Sequence, residues 1–305
     1  MGDTVYGNQR PTDLTPGLYR FDQFYWARMY GPGGYYENGN GVGVDFGTYV
    51  NQDTGLAERI GQWLDVEWER LGKPNPYPVY EIAAGDGTLC RKLLAQDLAC
   101  RSALRYTAVE SNPLYQQSFP EEVTVIQRFD EPPSFGVIVG NELIDSQAPR
   151  FVSYRNDRWQ ELFIRVADIA TYEWHDLNEP LPTTLQAIKG MDGSAPWVQQ
   201  AADLLHNLTR NLTGSVLMLD YGYRNTTDFP GKPWFKCWHE YKQVQTLDLT
   251  ILPDMSTLLP VDQLEELFQP ATVTKQATWI KGEPAPHDNF YVLEWHFKNG
   301  NPISR

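Results

Sequence analysis

Short apolar segments alternate with helical segments through much of the chain. Four of the apolar segments are nearly continuous: 79–84 (VYEIAA), 106–110 (YTAVE), 123–127 (VTVIQ) and 136–143 (GVIVGNEL). Strands without a polar side are typical of parallel sheets that carry helices on both faces. A helical segment, 88–99, follows the first of them, as the connection between parallel strands requires. The alternation therefore predicts an α/β fold with a mostly parallel sheet.

The remaining predicted elements extend this pattern. They follow from helical spacing of apolar residues, from β-type composition and from turn-forming pairs. In chain order they are helix 53–71, a β-hairpin over 151–166 that turns at Asn156-Asp157, helix 196–212, a fifth core strand at 215–222, helix 261–268, and a closing pair of strands at 272–280 and 289–297.

Two parts of the chain lie outside the regular alternation. Residues 1–72 are expected to form an N-terminal extension followed by a helix, and the extension is rich in Gly, Tyr and Phe. Disordered tails carry few aromatic residues, so we expect this segment to pack against the rest of the protein. The sheet domain is predicted over 73–305, with an insertion at about 147–212.

The composition disfavours several classes of partner and location. The net charge is −14 at pH 7 and no run of Lys and Arg is present, which disfavours binding to nucleic acid. Neither a transmembrane segment nor a secretory signal is recognisable, so membrane insertion and export are not expected. Cys90, Cys100 and Cys237 have no metal-type spacing, which indicates reduced thiols in a cytoplasmic location. No cluster of His, Cys and carboxylates predicts a metal site.

The segment 79–89 (VYEIAAGDGTL) combines a strand, a glycine turn and a helix, an arrangement that presents backbone N–H groups to a ligand. A P-loop is excluded, because no Gly-Lys-Ser/Thr follows at the required spacing. A dinucleotide site prefers a third glycine where Cys90 stands, which weakens the case for an NAD-dependent reductase but leaves it open. The turn itself is formed by Ala83, Gly85 and Gly87.

Two acids accompany this turn. Glu81 lies on the first strand and Glu110 ends the second. The distance along the chain from the glycine turn to Glu110 is close to the roughly 20 residues that separate such a turn from an acid that binds ribose hydroxyls. A carboxylate can accept hydrogen bonds from both hydroxyls of an adenosine ribose. Together with the turn, the acids favour S-adenosylmethionine as the cofactor. In the alternative interpretation Glu110 caps a helix formed by 111–117.

Further polar residues follow the other predicted strands. Ligands of doubly wound sheets gather at the carboxyl ends of strands. Asn141 and Glu142 end the fourth strand and are predicted to line the pocket, with a helix-cap role for Asn141 as the alternative. Asp145 could pair with Glu142 toward a cationic substrate, or be a solvated loop acid. Phe129-Asp130, after the third strand, is a candidate adenine contact.

Several motifs together make the chain similar to the MidA-like methyltransferases, a family that includes mitochondrial complex I assembly factors acting on protein arginine. The family's motifs resemble, in order, YGPGGYY (30–36), VDFGTYV (44–50), EIAAGDGTL (81–89), VGNELIDSQAP (139–149), LDYG (219–222) and DLTILPD (248–254). The resemblance implies S-adenosylmethionine as cofactor and a class I methyltransferase fold, a seven-stranded sheet with one antiparallel strand. Three motif residues differ: Ala83 and Val44 replace glycines, and Ser146 replaces an alanine.

The remaining candidates belong to the substrate side. Asp45 and Phe46 lie in a glycine-flanked loop, where the acid could orient an amine or accept its proton and the ring could face a sulfonium. Ordinary packing is the alternative for both. Tyr221 closes the fifth strand and could line the substrate side, with a packed strand end as the alternative. His239 lies near a histidine of the family.

These observations predict an S-adenosylmethionine-dependent methyltransferase whose acceptor is a protein, with arginine implied by the resemblance, or a peptide. Methyl transfer needs mainly positioning and a route for the proton. Asp45, Glu142 and Asp145 are the predicted catalytic residues, because carboxylates could orient a guanidinium and disperse its charge. A small molecule or a carrier-bound intermediate is an alternative acceptor. A further alternative is an assembly factor that binds the cofactor without turnover.

Overall fold

The computed structural model describes residues 14–39, 41, 44–52, 55–232, 235–269, 271–283 and 289–303. The strands are β1 (Gly17–Arg20), β2 (Tyr77–Ile82), β3 (Leu104–Val109), β4 (Thr124–Ile126), β5 (Phe135–Asn141), β6 (Arg150–Arg155), β7 (Arg158–Val166), β8 (Thr171–Asp176), β9 (Ala195–Trp197), β10 (Thr213–Tyr223), β11 (Phe235–His239), β12 (Lys242–Gln243), β13 (Asp254–Thr257), β14 (Leu259–Pro260), β15 (Thr272–Lys275), β16 (Phe290–Lys298) and β17 (Asn301–Pro302). The helices are α1 (Phe21–Met29), α2 (Tyr35–Asn38), α3 (Leu56–Arg70), α4 (Thr88–Leu94), α5 (Thr183–Gln186), α6 (Gln199–Thr209), α7 (Val261–Leu267) and α8 (Gln276–Lys281), with 3₁₀ turns at Tyr49–Asn51 and Thr226–Asp228.

The described residues group into two compact units, each built from three segments. The parallel-sheet unit takes its residues from Gly47–Leu143, His206–Asp220 and Ala271–Arg305. The antiparallel-sheet unit takes its residues from Met1–Phe46, Ile144–Leu205 and Tyr221–Pro270.

The parallel-sheet unit contains the predicted sheet. Seven strands lie side by side in the order β15-β16-β10-β5-β2-β3-β4, and the short β17 pairs with β16. The five strands from β10 to β4 are parallel to one another, and β15 pairs antiparallel with β16. The mostly parallel α/β architecture predicted from the sequence is therefore confirmed.

Helix α3 shows why this unit has a core. Leu56, Ile60, Trp63 and Leu64 recur on one face, and each is at most 2% exposed. They pack with residues of β2, α4, β5 and β10 in one apolar cluster. Burial of a large apolar side chain contributes roughly 1.5–3 kcal/mol to the free energy of unfolding. This face of α3 is therefore a major source of stability for the parallel-sheet unit.

The antiparallel-sheet unit is built around β7, which pairs with β1, β6 and β8, while β9 pairs with β6. A second sheet has the order β12-β11-β13. The predicted hairpin between β6 and β7 is confirmed, and Asn156 and Asp157 have the positive φ angles of a type I′ turn, 51° and 59°. The aromatic segment packs as expected: Phe21, Phe24 and Tyr25 on α1 are completely buried.

Three predicted elements are wrong in part. The helix predicted over 88–99 ends at Leu94, because the Asp65 carboxylate accepts the N–H groups of Ala99 and Cys100 at 3.0 and 2.9 Å and holds them outside the helix. Residues 195–197 form β9 rather than the start of a helix, which begins at Gln199.

The third correction concerns the strand predicted over 272–280. It ends at Lys275 and continues as α8. The helix ends at Gly282, whose φ of 74° supplies the left-handed residue of a helix C-terminus. The β-type composition of Thr278-Trp279-Ile280 masked this signal. In the described ranges, no helix combines the length and apolarity needed to cross a membrane.

Candidate functional site

The polar residues that follow the parallel strands lie along one edge of the sheet. The register pairs Ile82 with Val109 on β3 and with Gly140 on β5. The next residues in each strand direction are therefore Ala83, Glu110 and Asn141, which the structure brings to the same edge.

The turn between β2 and α4 has an unusual backbone. Ala83, Gly85 and Gly87 have φ angles of 54°, 56° and 76°. Glycine adopts such angles freely, but an alanine there is strained by about 1–2 kcal/mol. Space is open beside Gly85, because a Cβ built on it would have no other atom within 4 Å. The turn therefore leaves its backbone open to a ligand at this point.

Glu110 is tied to this turn. It is 7% exposed, and its Oε2 accepts the Gly85 N–H at 2.8 Å while its Oε1 accepts the Asn112 N–H at 2.6 Å. Burial raises the pKa of this carboxyl, and the backbone N–H groups oppose that shift. Residues 111–117 contain no helix, so the alternative in which Glu110 caps one is not seen. A carboxylate has roughly four acceptor positions, so Glu110 keeps capacity to accept a further hydrogen bond.

Glu81 has a different environment. It is 4% exposed, and the Tyr106 hydroxyl donates to its Oε2 at 2.7 Å. Burial raises the pKa of Glu81 to about 8, although the bond from Tyr106 lowers it, and the nearby Glu110 adds to the rise. Glu81 is therefore mostly protonated at neutral pH.

The loop after β4 contributes an aromatic contact. The Phe129 ring lies 5.5 Å from the Tyr80 ring in an edge-to-face arrangement, and Asp130 is exposed. Their predicted contact with adenine stays a prediction.

Asn141 and Glu142 connect the end of β5 to the segment before α3. The Glu142 Oε1 accepts the Tyr49 N–H at 3.0 Å and the Asn141 side-chain N–H at 3.3 Å. The Glu142 N–H donates to the Leu219 carbonyl at 2.8 Å, and its φ of 52° is strained for a residue with a side chain. Such strain is typical of functional sites.

Asp45 belongs to the antiparallel-sheet unit and is completely buried. The Tyr35 hydroxyl donates to Oδ2 and the Glu240 N–H to Oδ1, both at 2.9 Å, and the His239 Nδ1 lies 3.5 Å from Oδ1. The structure thus brings two predicted residues, Asp45 and His239, together. It also gives Asp45 a structural task, since it holds the turn between β11 and β12.

The other predicted residues of this unit have well-defined surroundings. Asp145 is 6% exposed, and its carbonyl accepts the Thr257 N–H at 2.8 Å. The Tyr221 hydroxyl lies 2.6 Å from the Ser256 Oγ. Phe46 packs against the aromatic core that contains α1. Their catalytic and substrate-binding roles stay predictions.

Sequence reasoning missed three residues near the glycine turn. Tyr106 lies two residues before Ala108, the partner of Glu81 in the register, so strand periodicity could have placed it beside Glu81. Arg91 lies four residues after Gly87, one helical turn along α4. No local signal places the ring of Phe119 against Gly87.

We predict that Gly87→Ala destabilises the protein by about 2–4 kcal/mol, the sum of backbone strain and overpacking. A Cβ on Gly87 would lie 2.9 Å from two ring atoms of Phe119. Gly72→Ala is a matched control, because Gly72 has a similar φ of 83° and no atom within 4 Å of its Cβ position. Urea denaturation should give a loss of about 1 kcal/mol for the control. Equal losses for both variants would contradict the predicted overlap.

Comparisons with known proteins agree with this arrangement. Residues 59–250 match a family described as S-adenosyl-L-methionine-dependent methyltransferases. The mitochondrial protein arginine methyltransferase NDUFAF7 homolog of Drosophila melanogaster is 24% identical over 236 residues, which are 62% of this chain and 53% of the relative. The chain therefore spans about half the length of that curated relative.

Two solved structures from Burkholderia thailandensis are similar in fold. One, bound to S-adenosyl-homocysteine, has a TM-score of 0.73 and 16% identity, and the match covers 92% of this chain and 88% of that chain. The other, a native crystal structure, has a TM-score of 0.71 and 17% identity with the same coverage. At these identities they show the fold alone, and that fold is the one implied by the motifs.

Proposed function

The chain belongs to a family of S-adenosyl-L-methionine-dependent methyltransferases, and from that premise we propose that it methylates a nitrogen of a protein side chain, with arginine as the preferred acceptor. The observation that carries the proposal is the hydrogen bond from the Gly85 N–H of the glycine turn to the buried Glu110 carboxylate. The name of the Drosophila relative supports arginine. The buried carboxylates of Asp45 and Asp145 support a cationic acceptor.

The residues around the turn fit an adenosine. Glu110 lies beside the turn, and its carboxylate can accept a ribose hydroxyl in addition to the backbone N–H groups that it already accepts. The open space beside Gly85 lets a ligand approach the backbone closely. Asn141, at the same edge, supplies an amide that can donate and accept. S-adenosylmethionine, when bound, supplies a methyl group activated by its sulfonium.

On the acceptor side, the protein has to orient a guanidinium and let its proton leave. A guanidinium has a pKa above about 12 and is not deprotonated in water. We assign catalytic roles to Asp45, Glu142 and Asp145, because a carboxylate can hold the N–H groups of a guanidinium and offset its charge as the methyl group arrives. Because Asp45 is held by Tyr35 and by the Glu240 N–H, its position is fixed in advance.

The test is transfer of label from methyl-labelled S-adenosylmethionine to proteins in an extract of the source organism. We expect labelled arginine, and Asp45→Asn and Glu142→Gln should each lower single-turnover rates about 100-fold or more. Tyr35→Phe removes one donor to Asp45 and keeps the carboxylate, so it should lower the rate less than Asp45→Asn does. Unchanged rates in both carboxamide variants would remove Asp45 and Glu142 from catalysis.

Other outcomes of this experiment separate the alternatives. Label found only in small molecules or on a carrier protein would move the acceptor to that class. Cofactor binding without any labelled acceptor would support an assembly factor that lacks turnover. Binding of a nicotinamide cofactor, seen by fluorescence, in place of S-adenosylmethionine would support a reductase.

We further propose that nucleic acid is not the acceptor, because a net charge of −14 opposes contact with phosphates. The cytoplasmic location is proposed from the cysteines alone; the Drosophila relative is named as mitochondrial. Cell fractionation with an antibody to the protein distinguishes the two compartments.

A further inference from the structure

Arg91 connects two segments of the proposed cofactor site. Its Nη1 donates to the Asp86 carbonyl and to the Ser118 carbonyl, each at 2.8 Å, and its Nη2 donates to the Thr88 Oγ1 at 3.0 Å. Asp86 lies in the glycine turn, whereas Ser118 lies in the loop 111–119 that follows Glu110. One guanidinium therefore holds the turn and the loop at a fixed separation.

The same two segments meet at Glu110. Its carboxylate accepts one N–H from the turn, at Gly85, and one from the loop, at Asn112. If the loop shifted relative to the turn, Glu110 would keep one of these bonds and lose the other. The direction in which its free acceptor positions point depends on the separation that Arg91 maintains.

The backbone of the turn also needs such support. Ala83 has a φ of 54°, which a residue with a Cβ adopts only under strain. Strained residues persist where the surrounding structure over-determines them. The bonds from Arg91 to Asp86 and Thr88 are contacts of this kind, since both partners lie within five residues of Ala83.

We infer that Arg91 is a positioning residue for the adenosine half of the cofactor: it holds the glycine turn and the loop 111–119 so that Glu110 faces the ribose. The inference rests on the proposed function. In this inference Arg91 affects the affinity for the adenosine half through Glu110 and the turn, and it does not contact the methionine half of the cofactor.

The test uses calorimetric binding of two probes, adenosine and S-adenosylhomocysteine. We expect Arg91→Met to weaken both by the same factor, about five- to tenfold, because charge-assisted bonds from a solvent-exposed arginine are weaker than buried ones. A loss for S-adenosylhomocysteine alone would overturn the inference, since it would mean a direct contact with the methionine half. Unchanged binding of both probes would overturn it as well.

A second background tests the role of strain. In Ala83→Gly the turn is relaxed, so Arg91→Met should cost about twofold or less there. An equal loss in both backgrounds would overturn the inference, because Arg91 would then not act by supporting the strained turn.

Arg105→Met is the matched control. The Nη1 of Arg105 also donates to backbone carbonyls, those of Ser102, Ala103 and Leu104, but it does so at the opposite end of β3. We expect unchanged binding of both probes. If the wild-type protein binds neither probe, the proposed function fails. If it binds them, the ratio of the wild-type and Arg91→Met affinities tests the role of Arg91 alone.

Discussion

Glu110→Gln is expected to weaken S-adenosylhomocysteine binding about 100-fold, which corresponds to about 2.7 kcal/mol. The glutamine replaces one acceptor oxygen with an NH₂ group, which cannot accept the Gly85 or Asn112 N–H or a ribose hydroxyl. It also removes the charge, and bonds to an ionised acceptor are roughly twice as strong as neutral ones. Calorimetry on wild type and variant measures the loss.

A second pair of ligands separates ribose recognition from damage to the turn. Wild type should prefer adenosine over 2′-deoxyadenosine, and Glu110→Gln should abolish that preference. Glu121→Gln, an exposed acid of the same unit, is the control and should leave both affinities unchanged. If the variant kept the preference for adenosine, Glu110 would not be the residue that binds the ribose.

The pH offers a further check on Glu110. Because burial raises the pKa of its carboxyl, the affinity should fall as the pH is lowered toward that pKa. The glutamine variant should lack this dependence, since an amide does not titrate in this range.

Glu81→Gln is expected to stabilise the protein at alkaline pH and to have little effect at acid pH. Glu81 has a pKa of about 8 in the folded protein against an ordinary value of 4.5. Between these values the folded state binds the proton more tightly than the unfolded state, so the free energy of unfolding falls as the pH rises. The penalty is absent below pH 4.5 and complete above pH 8.

The slope of this effect is at most about 1.4 kcal/mol per pH unit over the window between the two pKa values, so the variant should gain on the order of 5 kcal/mol at pH 9 relative to wild type. The glutamine can still accept the bond from Tyr106 through its carbonyl oxygen. Urea denaturation at pH 5, 7 and 9 measures the difference. Parallel curves of stability against pH for the two proteins would show that Glu81 does not titrate with a raised pKa.

Tyr106→Phe extends this test. The bond from the Tyr106 hydroxyl lowers the pKa of Glu81, so its removal should raise that pKa and move the upper end of the pH window above pH 8. In the Glu81→Gln background the same substitution should leave the shape of the pH curve unchanged.

Much of the parallel sheet could be predicted because each of its central strands is recognisable from a short stretch of sequence. β2, β3 and β5 are largely apolar runs; β2 leads into the glycine turn, β3 is followed by Glu110 and β5 ends at Asn141. A parallel sheet places these ends at one edge. Gly85 and Gly87 indicated the turn, since it needs positive φ angles that glycine adopts without cost. The meeting of Glu110 with the turn followed from strand order.

What the sequence did not predict depends on contacts between distant residues. The early end of α4 depends on Asp65, more than 30 residues away from the N–H groups it accepts. The bonds of Asp45 to the turn between β11 and β12 join residues almost 200 positions apart. Spacing and composition describe neighbours along the chain, so such pairs leave no trace in them.

The order of segments has a consequence for how the chain acquires its structure during synthesis. Neither compact unit is a continuous stretch: both draw on three segments, and the last segment of each lies beyond residue 220. On the ribosome, β2, β3 and β5 emerge long before β10 and β16, which complete their sheet. The apolar edge of β5 therefore stays unpaired until β10 has been synthesised. Chains with such long-range pairing fold slowly and are exposed to aggregation meanwhile. A nascent-chain complex stalled near residue 200 should therefore engage chaperones more strongly than one released at full length.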